Sequence, residues 1–289
     1  MAEHGRAAQL VHRYAASAVA LGGRATAQWR MLPAFLIVGG QRCGTTALYS
    51  KLIKHPSILG PTLHKGVHYF DTDYVRGLSW YRGHFPTVGS ARKLEQRVGG
   101  QVITGEASPY YMFHPLAGER IARDLPETKI IAILRDPVER AYSAYTHERA
   151  RGFETESFER ALKLESTRLN GEEDRIRRDP HYVSRTHQHN AYVARGRYVE
   201  QLERLEALVG RDRMIVLDFD VVFDDVAGSM QELVRFLGLP EWKPVDIPQR
   251  NARPRSAMPA EISEQLREYF DEHDARLEQW WGRSPSWRR

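Results

Sequence analysis

The segment Phe35-Leu-Ile-Val-Gly-Gly-Gln-Arg-Cys-Gly-Thr-Thr-Ala-Leu-Tyr49 has the residue types and spacing of a phosphate cradle. An apolar run ends in a glycine-rich turn and a helical pattern follows at once. Backbone N–H groups and the positive end of a helix macrodipole then converge on an anion. Gly39 and Gly44 have the Gly-x-x-x-x-Gly spacing of a Walker-type loop, but Thr45 stands where a nucleoside triphosphatase carries lysine. The cation comes earlier, at Arg42. That displacement turns the expectation away from triphosphate hydrolysis and toward a nucleotide whose 5′-phosphate bears another transferable group. Gln41, Arg42, Cys43, Gly44, Thr45 and Thr46 are its candidate ligands.

A second anion site is legible in Ile131-Ala-Ile-Leu-Arg-Asp-Pro-Val-Glu-Arg-Ala-Tyr-Ser143. An apolar strand delivers Arg135 at its carboxyl end, and Asp136-Pro137 opens a helix. Ser143 lies about two turns into that helix. Ligands of open α/β sheets gather at the carboxyl ends of strands, so Arg135 and Ser143 can donate to one phosphate. The alternative is an arginine ion-paired with Asp136 or Glu139.

The elements that must position these groups alternate between short β-branched runs and longer helical patterns, the rhythm of a parallel sheet. Strands are expected at Phe35–Val38, Val102–Glu106, Ile130–Leu134 and Met214–Leu217, with Val67–Phe70 as a short extra one. Helices are expected at Thr45–Lys54, Val138–Arg151, Phe158–Glu165, Tyr192–Leu208, Val226–Leu237 and Pro259–Arg276. The charged stretch Asn170–Gln188 reads as a long loop, either a lid over a substrate channel or a solvated surface. The fold class is α/β, a P-loop-like three-layer arrangement of a central, mainly parallel sheet flanked by helices. Residues 1–32 form an N-terminal extension, irregular or helical, and 33–289 form a single domain.

Composition sets further bounds. The 289 residues carry a formal charge of +5, which suits an anionic ligand without requiring one. No dense basic run interleaves with aromatics, so nucleic acid is not an expected partner. The single cysteine, Cys43, rules out an internal disulfide framework and any multi-thiolate zinc site, and it favours a reducing compartment. A thiol at a helix start can be reactive, but here its backbone matters more. The apolar stretch near Ala15–Leu21 is far short of the ~20 residues of a membrane span. A soluble cytoplasmic protein is therefore expected; the oligomeric state is left open.

With these residues in view, the chain resembles the sulfotransferases that use 3′-phosphoadenosine 5′-phosphosulfate (PAPS), in particular the heparan-sulfate-type and bacterial carbohydrate branch. In that family the first loop binds the 5′-phosphosulfate and the Arg…Ser pair binds the 3′-phosphate. Three further stretches match: Gly66-Val-His-Tyr-Phe-Asp71 with Gly77-Leu-Ser-Trp-Tyr81, then Gly105-Glu-Ala-Ser-Pro-Tyr110, and more loosely Arg253-Pro-Arg-Ser256. The similarity runs from about Pro33 to Pro259. It implies PAPS as donor and 3′-phosphoadenosine 5′-phosphate (PAP) as product, with Arg253 and Arg255 closing over the nucleotide. Two positions depart from the pattern. Gly66 replaces the family's catalytic glutamate, and Ala107 replaces a lysine common after the glutamate of the fourth motif.

The resemblance implies a mechanism without a metal. Arg42 and the N–H groups of Gly44, Thr45 and Thr46 would stabilise charge on the leaving phosphate. The acceptor must lose a proton, and with Gly66 unable to take it, His68 is the leading base, with Asp71 to orient it. Glu106 is the second candidate, or else a carboxylate that braces Arg42 or the loop. His64 and His68 are four apart, but no helical metal pair is expected. Lys65, His68, Asp71 and Trp80 are the candidate acceptor contacts; Arg197 and Tyr198 could touch donor or acceptor or simply start a helix. The expected acceptor is a hydroxyl, less favourably an amine, of a saccharide, glycolipid or small metabolite. The competing readings are a P-loop kinase or NTPase, and a nucleotide- or glycan-binding protein that kept the cradle and lost the base.

Overall fold

The computed structural model describes residues 23–62, 65–242 and 257–289. Arg253, Arg255, His64 and most of the N-terminal extension lie outside them. Five parallel strands form the sheet: β1 (Phe35–Gly39), β2 (Ile58–Leu59), β3 (Ile103–Ala107), β4 (Lys129–Leu134) and β5 (Met214–Asp218), in spatial order β2-β3-β1-β4-β5. This is the expected P-loop-like α/β architecture. Strand β1 is buried along its whole length, and Phe35 pairs with Gly105 on one side and Lys129 on the other. Both anion-site loops therefore leave neighbouring strands, β1 and β4, at the same edge of the sheet.

Helix α1 (Thr45–Leu52) follows the first loop, and α2 (Leu78–Arg82) and α3 (Val88–Val98) lead to β3. Helix α4 (Ala117–Asp124) precedes β4 and α5 (Pro137–Ala150) follows it. Then come α6 (Phe158–Leu169), α7 (Glu172–Arg178), α8 (Arg185–His189) and α9 (Tyr198–Val209). The chain closes with α10 (Phe219–Asp224), α11 (Val226–Leu237) and α12 (Ala260–Trp281). Asp136 caps α5 by accepting from the N–H groups of Val138 and Glu139, with proline at the first helical position.

Three sequence expectations are corrected. Val67–Phe70 is not a strand, because its N–H groups are taken by side chains. Val67 donates to Glu106, His68 to Ser108 Oγ and Tyr69 to the Tyr111 hydroxyl. The extra strand is Ile58–Leu59 instead, paired with Ile103 and Thr104. The stretch Asn170–Gln188 is not a long loop: it holds α7 and the start of α8. Helix α7 has three acids in its first turn and three arginines in its last, which complements its dipole although it lacks an apolar stripe. The helix expected from Tyr192 begins only at Tyr198. Glu165 accepts from the N–H groups of Tyr192, Val193 and Ala194 and holds that segment out of a regular helix.

Residues 23–32 pack onto the domain. Arg30 donates to the Phe85 carbonyl and Met31 N–H to that of Pro86.

Candidate active site

The first loop is held to the sheet by Gly40, whose N–H donates to the Ile133 carbonyl at 2.7 Å. Gly44 then begins α1 at φ 84°, and a Cβ there would sit 2.8 Å from the Phe219 ring. Only glycine meets both conditions. No side chain caps α1, and its first-turn N–H groups have no intrahelical acceptor, as at any helix start. Cys43 is buried; its thiol lies 3.7 Å from the Tyr198 hydroxyl, which donates to the Arg135 carbonyl. Burial pushes the thiol pKa up, so this cysteine is a packing contact between the two anion loops and not an activated nucleophile.

Gln41 is clamped from both sides. Arg195 donates to its Oε1 at 2.7 Å, and its amide nitrogen donates to Glu148 at 3.3 Å. Arg195 also donates to the carbonyls of His187 and Gln188, tying α8 to the loop. From the sequence, the resemblance places Arg195, with His187, His189, Asn190 and Arg197, where the chain returns towards the cofactor, but neither its contact with Gln41 nor any part for Glu148 is legible, because both depend on a partner far along the chain.

Arg42 directs its Nε to Ser143 Oγ at 3.2 Å, so the first loop's cation reaches the helix of the second anion site. Ser143 is nearly buried on α5. Arg135 sits at the end of β4 with its guanidinium over the Phe219 ring and 3.2 Å from Glu139. The ion pair with Glu139 weighed as the alternative is thus present. It leaves the Arg135 side chain partly exposed.

The segment after β2 faces this cradle. His68 Nδ1 lies 2.8 Å from Asp71 Oδ2, and the Asp71 side chain is fully buried. Burial draws the imidazole pKa down, but the hydrogen bond and charge of Asp71, helped by Glu106 and Asp73, carry it above the ordinary histidine value. With Nδ1–H donating to Asp71, Nε2 is the free basic atom. It points to the vacant side of Gly66, 3.6 Å from where a Cβ would lie. The missing glutamate's place is thus beside His68 Nε2.

Glu106 is completely buried. Its oxygens accept from Val67 N–H, Ser108 Oγ, and the hydroxyls of Tyr81 and Tyr111, at 2.8 to 2.9 Å. Burial raises its pKa against the pull of those four donors. Through Val67 N–H and Ser108, Glu106 ties the end of β3 to the segment that carries His68. Lys65 reaches the first turn of α1, its ammonium donating to Thr46 Oγ1. Trp80 is packed between Arg76, whose guanidinium lies 4.9 Å from its ring, and His84. Tyr198 is buried among the loops, while Arg197 lies near Glu200. Among the described residues no group of three or more histidine, cysteine or acidic side chains is placed to hold a metal ion. No described helix is long and apolar enough to cross a membrane.

A parallel sheet with a glycine-rich, side-chain-uncapped loop after β1 and an arginine and a serine after β4 defines an α/β protein of the P-loop-like type. Comparison with known proteins narrows the class. Residues 32–253 match the family described as "Sulfotransferase domain". The chain is 34% identical over 218 residues to the human bifunctional heparan sulfate N-deacetylase/N-sulfotransferase 3, covering 72% of this chain and 22% of that protein. It is 33% identical over 216 residues to the mouse enzyme numbered 4, with the same coverage. The chain thus matches about a fifth of the length of these relatives. A solved sulfotransferase from Alicyclobacillus acidocaldarius superposes with a TM-score of 0.65 at 31% identity, over 90% of this chain and 100% of that one. The chain belongs to the sulfotransferase family.

Proposed function

We propose that this protein transfers a sulfuryl group from PAPS to a hydroxyl or amine of a saccharide acceptor. The observation that carries the reading is the Arg42–Ser143 contact, which joins the two anion sites into one cradle able to hold both ends of a bisphosphorylated adenosine. The uncapped first turn of α1 fits the 5′-phosphosulfate, and Ser143 with Arg135 fits the 3′-phosphate.

His68, oriented by Asp71, would take the acceptor proton through Nε2. Arg42 and the α1 N–H groups would stabilise the charge that grows on the leaving phosphate. No loop lysine follows Gly44, which counts against a kinase or NTPase. The relatives named N-sulfotransferase act, by that name, on nitrogen, so both acceptor atoms belong in the test.

The decisive experiment incubates the protein with PAPS and a saccharide panel in which each amine is also present N-acetylated. Gain of one sulfuryl mass on a panel member supports the reading, and the N-acetylated twin reports which atom is modified. Tighter binding of ATP than of PAP would favour the NTPase alternative; PAP binding with no transfer or PAPS breakdown would favour a binding protein.

A further inference from the structure

The phosphate loop has Thr45 where Walker-type loops carry lysine. The loop's own cation, Arg42, aims its Nε at Ser143. A separate segment brings an ammonium to the cradle: Lys65 Nζ donates to Thr46 Oγ1, in the first turn of α1. We propose that Lys65 is a catalytic residue whose ammonium meets the oxygen linking the transferred sulfur to the 5′-phosphate. This assignment rests on the PAPS reading above.

The position of Lys65 is built in. Its carbonyl accepts from Ala107 N–H at 2.9 Å, and two residues on Val67 N–H donates to Glu106 at 2.8 Å. Both anchors lie at the carboxyl end of β3, the strand paired with β1. The backbone that carries the lysine is therefore fixed relative to the loop. Thr46 takes one of the three ammonium donors, and the other two can reach donor oxygens. Lys65 is half-buried, and that burial lowers its pKa, so its charge is already partly stripped of water and interacts strongly with an anion beside it.

In the reaction the bond between sulfur and the bridging oxygen breaks, and its electron pair stays on that oxygen. Sulfur gains a bond to the acceptor oxygen or nitrogen, whose proton passes to the base. The freed 5′-phosphate gains one unit of negative charge next to Lys65. Lys65 exchanges no proton. Because the charge develops between ground and transition states, its effect falls on turnover more than on PAPS affinity.

The test uses wild-type protein, Lys65→Ala and Lys65→Arg. PAPS and PAP affinities are measured by calorimetry. Single-turnover release of PAP from bound PAPS is followed with water as acceptor. Lys65→Ala is expected to slow release about 10²-fold while PAPS affinity stays within about threefold, and Lys65→Arg to recover at least about tenfold of the rate. A Lys65→Ala rate within about threefold of wild type, or equal losses in affinity and rate, overturns the assignment alone. Wild-type protein that binds neither PAPS nor PAP overturns the donor reading together with it.

Discussion

Arg42 Nε lies 3.2 Å from Ser143 Oγ, across 101 residues of chain. The contact makes the two anion loops one unit, so substitutions in them should not act independently. Ser143→Ala is expected to weaken PAP binding by about tenfold and Arg42→Ala by more, since a charged donor is worth more than a neutral one. The double variant should lose less than the sum, with a coupling of about 1 kcal/mol. Calorimetric titration with PAP measures all four corners of the cycle; strictly additive losses would show that the two loops do not share the ligand.

His68 should set the acid limb of the activity profile. Its pKa is carried above the ordinary value, and the base form is the unprotonated one. Turnover should therefore fall as pH drops through that raised pKa. Asp71→Asn removes the charge that raises it and should move the limb to lower pH. His68→Ala should cost about 10²–10⁴-fold at neutral pH. Adding Gly66→Glu to His68→Ala should restore part of the rate, because a side chain there occupies the space facing Nε2 with only a 3.1 Å contact to the Ala107 carbonyl to relieve. An unchanged pH profile in Asp71→Asn would count against the dyad.

Glu106 is expected to matter for stability before chemistry. Glu106→Gln turns an amide N–H₂ toward groups that now donate to a carboxylate, leaving buried donors unmatched. The cost should be about 2–3 kcal/mol in urea unfolding. The folded variant should keep turnover within about tenfold of wild type. Full stability with a rate loss beyond about 10²-fold would make Glu106 the base instead.

Asp274 gives the fold a pH dependence of its own. Burial raises its pKa to about 7, from an ordinary 3.8, despite the Trp287 indole that donates to it at 2.8 Å. The folded state then holds a proton that the unfolded chain releases. This contribution to stability is complete below the unfolded pKa and is lost as pH rises toward about 7. A shift of that size corresponds to roughly 4 kcal/mol at most. Asp274→Asn should flatten the fall in melting temperature across that window, and an unchanged slope would place the dependence elsewhere.

The strands that carry the site were legible because each is a short β-branched run bounded by turn residues: Phe35–Gly39 and Lys129–Leu134 lie within a residue of expectation. Helices without an apolar stripe were not. Helix α7 buries Glu172 and Ile176 and is otherwise charged, so periodicity had nothing to detect. The false strand at Val67–Phe70 has strand-like residues, but its N–H groups are claimed by Glu106, Ser108 and Tyr111 from 39 to 42 positions away. The roles of Arg195 and Glu148 around Gln41 were hidden for the same reason.

The phosphate loop itself could be written down from residues 39–46, because a glycine turn opening a helix is a local event set by backbone sterics and hydrogen-bonding. The Arg–Asp–Pro start of α5 is local in the same sense. Packing alone decides where Arg42 and Lys65 point, that Glu106 is buried under four donors and that His68 Nε2 faces the gap at Gly66. Those partners meet only after β1 is laid between β3 and β4, which brings chain segments tens of residues apart within hydrogen-bonding range, a consequence no local pattern encodes.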